Sequence, residues 1–474
     1  MPIQLDRNVQ YTAHVGTWKL CRHAAGGEAA VKAAGETYLP KIGGQSDDQY
    51  QSYKERSRFY NSFLKTVRGH VGLALRKPTV VSSPESLKDI DENIDRKGSD
   101  IRNYVRNTLE EMLITGRCGT LIDYSKIDAS ATLADVIEDR PYWARYDAEN
   151  ILDWEFVDNN LAYCVLREYV NKRGLGVVTS ENYRYRVLEL LDGVYIQTVY
   201  IGDSTEGEVI KPMMGGKALN FIPFVFHQTE FSEEVVPPPL LDLVNLCMSH
   251  YRLKADHMHA LHYVALPTPW VTGVTDTEAP KTIGPESIWA ISNENASVGM
   301  LEFQGGGVGA IREELKSMED HMAILGARIL LPELAENTAT ASTLRSISET
   351  SDLASFVGTL MQQVNRMYDF TAQWAGVNEE VEIKQDTNFI PKQMDAGMLT
   401  ALVGAWQSGA YDRETLTDNL QKAELIDGER DLDEMLSNIE AEEGERLEKA
   451  AQAIKEMSDE TDDETDDEED DEDG

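Results

Sequence analysis

PPPLLDLVNLCMSHYRLKADHMHALHYVALPTP, residues 237–269, sets the architecture of the chain. Three prolines open the stretch and Pro267 and Pro269 close it, so a single helix is bracketed over residues 240–265. Asp242, Asn245, Ser249, Arg252, Asp256 and His259 recur along it at spacings of three and four and draw one polar line. Leu240, Leu243, Val244, Cys247, Tyr251, Met258 and Leu261 cover most of the remaining surface. A helix built this way packs between neighbours and meets water along one edge. At 1.5 Å per residue it spans about 39 Å.

Downstream, PWVTG (269–273), ESIWAIS (286–292) and VGMLEF (298–303) read as short strands, up to the glycines 305–307. A second helix begins near Val308, and Ile311, Leu315, Met318, Met322, Leu325 and Ile329 give it a coiled-coil-like seam. Pro332 stops it. The polar segment PELAENTATAS (332–342) follows, then a very long helix over residues 343–375 with Leu353, Val357, Leu360, Val364, Met367, Thr371 and Trp374 on one stripe. Residues 391–457 read as helical and increasingly charged. The run from Asp459 to Asp473 holds thirteen acidic residues and no basic one, with nothing to bury, and is expected to be disordered.

Upstream, the pattern is mixed. A weak helical signal covers residues 28–38, and a stronger one covers 49–77. The second is locally basic: Lys54, Arg56, Arg58, Lys65 and Arg68 suit either a solvated helix face or a contact for DNA or an acidic partner. A helix over residues 101–115 ends at Gly116, and GTLIDY (119–124) reads as a buried strand. YRYRVLELL (183–191) and VYIQTVYI (194–201) flank Asp192-Gly193, a dipeptide that favours a type I′ hairpin turn. The fold class is therefore α+β, mostly helical, with an antiparallel meander in the first half.

Composition narrows the function. Hydrophobic residues make up 41% of the 474, enough for a large core. The net charge is −39, and with the thirteen terminal acids set aside the rest still carries −26. Such a body repels nucleic acid at long range and is unsuited to gripping DNA by charge neutralisation. Cys21, Cys118, Cys164 and Cys247 are scattered and suggest neither a zinc site nor a disulfide framework. No window approaches the roughly eighteen apolar residues of a membrane span. The start, MPIQLDRNVQ, lacks the features of a signal peptide, so a soluble protein made in a reducing compartment is expected.

Catalytic signals are sparse. GGGVGA (305–310) fits G-x-G-x-x-A, but no βαβ alternation surrounds it, and a flexible entry into a helix is the better reading than a nicotinamide site. His250, His257, His259 and His262 cluster without the acidic residue of a zinc pattern. The expectation is no enzyme, no metal and no cofactor.

The order of these elements resembles the phage portal proteins, which form the head-to-tail connector of tailed bacteriophages. YKERSRFYNSFLKTVRGHVGLALRKP (53–78), ITGRCGTLIDY (114–124), RPYWARYDAENILDWEF (140–156), PPLLDLVNLCMSHYRLKADHMHAL (238–261), LEFQGGGVGAIREEL (301–315) and TATASTLRSISETSDLASF (338–356) look like one subgroup, often filed as a domain of unknown function. The resemblance covers most of residues 50–375. It implies a wing over 1–236, a first stem helix over 237–266, a clip over 267–306 and a second stem helix over 307–331. A tunnel loop over 332–342, a long wing helix over 343–390, a crown over 391–457 and a disordered tail over 458–474 complete the set.

The resemblance further implies a homo-oligomeric ring, commonly of twelve subunits, at one capsid vertex of the virion. Double-stranded DNA passes through it without sequence preference. Its partners would be the terminase large subunit, a head-tail adaptor, and the major capsid and scaffolding proteins, with no membrane. The polar line from Asp242 to His259 would face the channel, and Glu333, Glu336, Asn337 and Thr338 would form its constriction. Twelve helices spaced about 10 Å apart leave an opening of about 28 Å, wide enough for a B-form duplex. The rival reading is an acidic oligomeric chaperone or scaffold that binds basic partners through its C-terminal tail.

Overall fold

Asn8 opens the first helix by accepting a 2.9 Å bond from the backbone N–H of Gln10. The computed structural model describes residues 7–124, 140–169, 183–265 apart from 203 and 215, 268–275, 289, 291, 294–301, 306–328, 351–389 apart from 378, 380 and 388, 396–422, 425–426 and 432–463. By packing the chain divides into two units, residues 1–336 with 347–389, and residues 337–346 with 390–474.

Helix α1 runs Val9–Ala33, with a kink where Gly27 takes φ +75°. The weak signal at residues 28–38 belongs partly to the last turns of this longer helix, whose AAGGEAA stretch carries little periodicity. The helix expected over 49–77 is two. Helix α2 (Asp47–Arg56) starts at a capping box of Ser46 and Gln49, and α3 (Ser62–Ala74) is capped by Asn61. Ser57 turns extended between them, and Asn61 prefers a cap to a helix interior. Strand β1 (Val80–Ser82) follows. Helix α4 (Ile101–Thr115) is capped by Asp100 and ends at Gly116 in the left-handed conformation, as its sequence leads one to expect.

Strand β2 (Arg117–Asp123) is buried at every residue because it is the middle of a three-stranded sheet. β3 (Tyr142–Asp147) lies on one side. An antiparallel five-stranded meander comes next: β4 (Ile151–Val157), β5 (Asn160–Tyr169), β6 (Tyr183–Leu191), β7 (Val194–Ile201) and β8 (Glu208–Ile210). Its β6–β7 turn has positive φ at both Asp192 and Gly193, as type I′ requires. β9 (Met213–Met214) and β10 (Lys217–Ala218) form a small hairpin, and β11 (Phe224–Gln228) closes the other side of β2.

Helix α5 (Leu241–Ala265) follows, then β12 (Thr268–Thr272) paired antiparallel with β13 (Ser297–Leu301). Helix α6 (Gly306–Arg328) returns, and α7 (Asp352–Ala375), capped by Ser351, leads to β14 (Glu382–Lys384), which pairs with β1 some three hundred residues earlier. The second unit holds α8 (Ala396–Gln407), α9 (Arg413–Lys422) and α10 (Leu432–Asp463). Helix α10 runs six residues into the stretch read as a disordered tail, and residues 464–474 lie outside the described residues.

The chain is thus α+β, and every described strand pairs antiparallel. In the first unit α7 packs on β11 and α4, with Trp143 at the junction. Its indole N–H donates to Thr371 Oγ1 at 2.8 Å, and its ring meets Tyr104 and Tyr368 edge-on. Two ionic clusters tie the layers. Arg22 on α1 bridges Glu111 on α4 (2.5 Å) and Glu149 (2.7 Å). Arg186 on β6 reaches Asp123 on β2 (3.0 Å) and Glu168 on β5 (2.8 Å), and Tyr146 donates to the same Glu168. Cys21, Cys118, Cys164 and Cys247 are buried free thiols.

Candidate functional site

Helix α5 begins where the prolines end. Leu241 N–H bonds back to Pro238 O, and Val244 N–H to Leu240 O, both at 3.1 Å. Its inner face buries Leu243, Val244, Cys247, Met248, His250, Tyr251, Ala255 and His257. From Met258 onward the burial fades, and Leu261, Tyr263 and Val264 are more than a third exposed. The first two-thirds of the rod is embedded in its own chain; the last turns stand clear of it.

The polar line occupies the open edge. Asp242, Asn245, Arg252 and Asp256 are exposed, and Ser249 and His259 are half-buried. The line is only partly free, because two members are tied to other parts of the chain, the turn that follows α1 and helix α2. Arg252 Nε donates to Tyr38 O at 2.9 Å, and Tyr53 OH donates to Asp256 Oδ1 at 2.6 Å. His259 sits edge-on to Tyr53 and Tyr263. Burial pulls its imidazole pKa down, the Arg56 charge adds to the drop, and Asp256 opposes it. Asn245, Ser249 and Arg252 also form one wall of a groove of about 600 Å³ against α1, with Lys19, His23 and Tyr38 opposite.

Helix α6 runs back along α5 in antiparallel register. Cys247 Sγ lies 3.9 Å from Met322 Sδ, and three residues on, His250 Nε2 lies 3.3 Å from Glu319 Oε1. Seven further, His257 feels the charge of Arg312, again seven residues back along α6. Equal steps in opposite directions describe a regular two-helix seam. Only Leu315 and Met322 among the described side chains of α6 are buried. At the far end β12 and β13 pair, with Gly299 beneath the Trp270 ring, where a Cβ would lie 2.6 Å from Cζ2. Trp270, Val298, Met300 and Leu301 are exposed there, as Leu261, Tyr263 and Val264 are on the last turns of α5.

The basic residues do not form one free patch. Lys54 lies over the Tyr50 ring and Lys65 over Tyr60. Arg58 bonds Glu28 at 3.0 Å, Arg68 approaches Glu110 at 3.9 Å, and Arg56 faces His259. Glu333, Glu336, Asn337 and Thr338 lie outside the described residues, as does most of ESIWAIS. The strand before residues 305–310 pairs antiparallel and α6 lies on α5, an arrangement unlike the parallel unit of a dinucleotide site. Among the described residues no group of three or more His, Cys, Asp or Glu could hold a metal ion, and no helix is long and apolar enough to cross a membrane.

What the sequence did not reveal is the pairing of His250 with Glu319 and the Tyr53–Asp256 bond. Both need the antiparallel register and the α2–α5 packing, neither of which spacing alone supplies.

Comparison with known proteins places one family model, described as "Domain of unknown function (DUF4055)", on residues 239–375, from α5 through α7. No curated protein matches the chain. Among solved structures the chain is similar to one from "Virion of native gene transfer agent (GTA) particle", at 11% identity over 81% of this chain and 95% of that one, with a TM-score of 0.37. It is also similar to one from "Neck of empty GTA particle computed with C6 symmetry", at 11% identity, 77% and 90% coverage and a TM-score of 0.39. A third, from "Neck of native GTA particle computed with C12 symmetry", gives 10% identity, 75% and 88% coverage and a TM-score of 0.36. Superpositions this loose do not define a shared fold.

Proposed function

We propose that copies of this chain assemble into the portal ring of a tailed bacteriophage, a channel for double-stranded DNA at one vertex of the capsid. The observation that carries the reading is α5: a 25-residue helix buried along one face by its own chain, polar along its open edge, and paired with a returning helix. A ring of such helices presents its polar edges to a wet hole and covers its apolar ends with neighbours. In this reading α5 and α6 are the stem and β12–β13 the clip. Helix α7 and the sheets form the wing, α8–α10 the crown, and residues 332–342 the constriction. The acidic body suits a conduit, which must let phosphates slide rather than bind them.

Negative-stain microscopy of the purified chain tests the assembly: rings with a central pore are expected, and monomers or compact dimers in every condition overturn it. Asp242→Leu tests the direction of the polar edge. Asp242 is the better probe because Asp256 is already bonded within the chain. Normal rings with impaired DNA packaging place the edge on the channel. Failure of assembly places it between subunits. Deleting residues 458–474 separates the ring from a tail-driven chaperone, which would lose its basic partner while a portal keeps its ring.

A further inference from the structure

We infer that the seam between α5 and α6 is an acid-sensitive joint, through which a fall in pH below neutrality releases α6 from α5 and α3. The inference needs only the observed helix packing and does not depend on the ring.

Helix α6 is lightly held. Among its described side chains Leu315 and Met322 carry the burial, and Gly326 rests against Thr66 of α3, where a Cβ would come 3.0 Å from Thr66 Oγ1. Into this thin contact the chain packs three imidazoles, His70 from α3 and His250 and His257 from α5, each less than a tenth exposed. Each leaves its Nδ1 without a hydrogen-bond partner among the described residues. A buried neutral imidazole tolerates one empty nitrogen; a buried imidazolium needs both N–H groups satisfied and its charge balanced.

The surrounding charges decide the sign. His257 faces Lys254 one turn back on its own helix and Arg312 on α6, both cationic, and no carboxylate among the described residues acts on it. His70 meets backbone groups of Thr66 on α3 and Gly326 on α6, which favour its charged form, and among the described residues no charge of either sign acts on it. His250 has Glu319 of α6 at 3.3 Å, Lys254 opposing, and the Tyr60 ring beside it. Burial is the largest cause in all three cases and pulls each pKa below the ordinary imidazole value. The docked state therefore binds fewer protons than the released one. Docking is complete above the ordinary value, about 6.5, and is lost as the pH falls through the lowered values. His250 resists, since its protonation gains an ion pair with Glu319, and His70 resists in part through the backbone groups of Thr66 and Gly326; His257 has no such gain and drives the release.

Hydrogen–deuterium exchange of the full chain, read by mass spectrometry at about pH 7.5 and about pH 5 with labelling times corrected for intrinsic rates, tests this. Peptides of α6 should lose about tenfold or more of their protection at the lower pH, while β6 and β7 keep theirs. In the double variant His70→Gln, His257→Gln the loss should disappear. Arg312→Gln, at an exposed position, should shrink it by removing the repulsion on His257. Equal loss over α6 and the β6–β7 hairpin would mean general acid unfolding and overturns the joint. An acid response unchanged in both variants overturns it as well. Where the double variant does not fold, Arg312→Gln alone decides: a smaller loss supports the joint and an unchanged one overturns it.

Discussion

Arg117 lies between two rings, its guanidinium carbon 3.9 Å from the centre of Trp154 and 4.2 Å from that of Phe226. It is 1% exposed, and among the described residues its Nε and Nη1 have no hydrogen-bond partner and no carboxylate acts on it. Burial pulls its pKa down to about 9, so at neutral pH it is still charged and the full cost of burying that charge is in place. Arg186 is nearly as buried but is bonded to Asp123, Glu168 and Gln197. The two arginines should therefore respond in opposite ways to the same change. Arg186→Met leaves the buried Asp123 without its cationic partner and Glu168 with Arg184 alone, and is expected to cost about 3–5 kcal/mol. Arg117→Met removes an unbalanced charge at the expense of a cation–π contact worth about 2 kcal/mol, and should leave stability unchanged or raise it by up to about 4 kcal/mol. Thermal unfolding midpoints of the two variants decide. A loss above about 2 kcal/mol for Arg117→Met would mean that the guanidinium has a strong partner in solution.

At the scale of elements, two glycines separate what a sequence states locally from what packing imposes. Gly193 is in the left-handed region with open space around it, and its role follows from the Asp-Gly dipeptide alone. Gly119 has no unusual φ, yet a Cβ there would fall 2.2 Å from Phe224 Cζ, because β11 lies directly against β2 with Phe226 opposite Gly119 in register. Gly193→Ala should cost about 1 kcal/mol through backbone strain. Gly119→Ala should cost about 1–3 kcal/mol through overpacking, and equal losses in a denaturant titration would contradict this account. The same division explains how much of the fold was legible. Helix α4, its Gly116 terminus, the β6–β7 hairpin and the α5 rod carry their signals within a few residues, and the structure has them at the expected positions. The pairings of β1 with β14 and of β2 with β11 join segments about three hundred and one hundred residues apart, and short apolar runs do not encode their partners. The polar line of α5 was readable as a stripe. That Arg252 and Asp256 would be tied to Tyr38 and Tyr53 was not, since those bonds depend on how α1 and α2 pack on the rod.

At the scale of the whole molecule, the charge of −39 opposes any assembly of identical copies. If the ring proposed above forms, each subunit brings the same surplus to its neighbours, and assembly must work against that repulsion unless salt screens it. The screening length is about 10 Å at 0.1 M salt and about 3 Å at 1 M, so charges facing each other across a subunit boundary are largely hidden only at the higher value. One-third of the surplus lies in the thirteen acids from Asp459 to Asp473. Their removal leaves the apolar surface of Leu261, Tyr263, Trp270 and Met300 untouched while lowering the net charge of every copy to −26. Chains lacking residues 458–474 should therefore form rings at lower salt than the full chain, with the two curves converging as salt rises toward about 1 M. Sedimentation velocity across a salt series measures this directly. Coincident curves would mean that the tail's charge never meets a neighbouring copy, whereas a truncated chain that assembles less well at every salt concentration would make the tail an attachment rather than a repulsive brush.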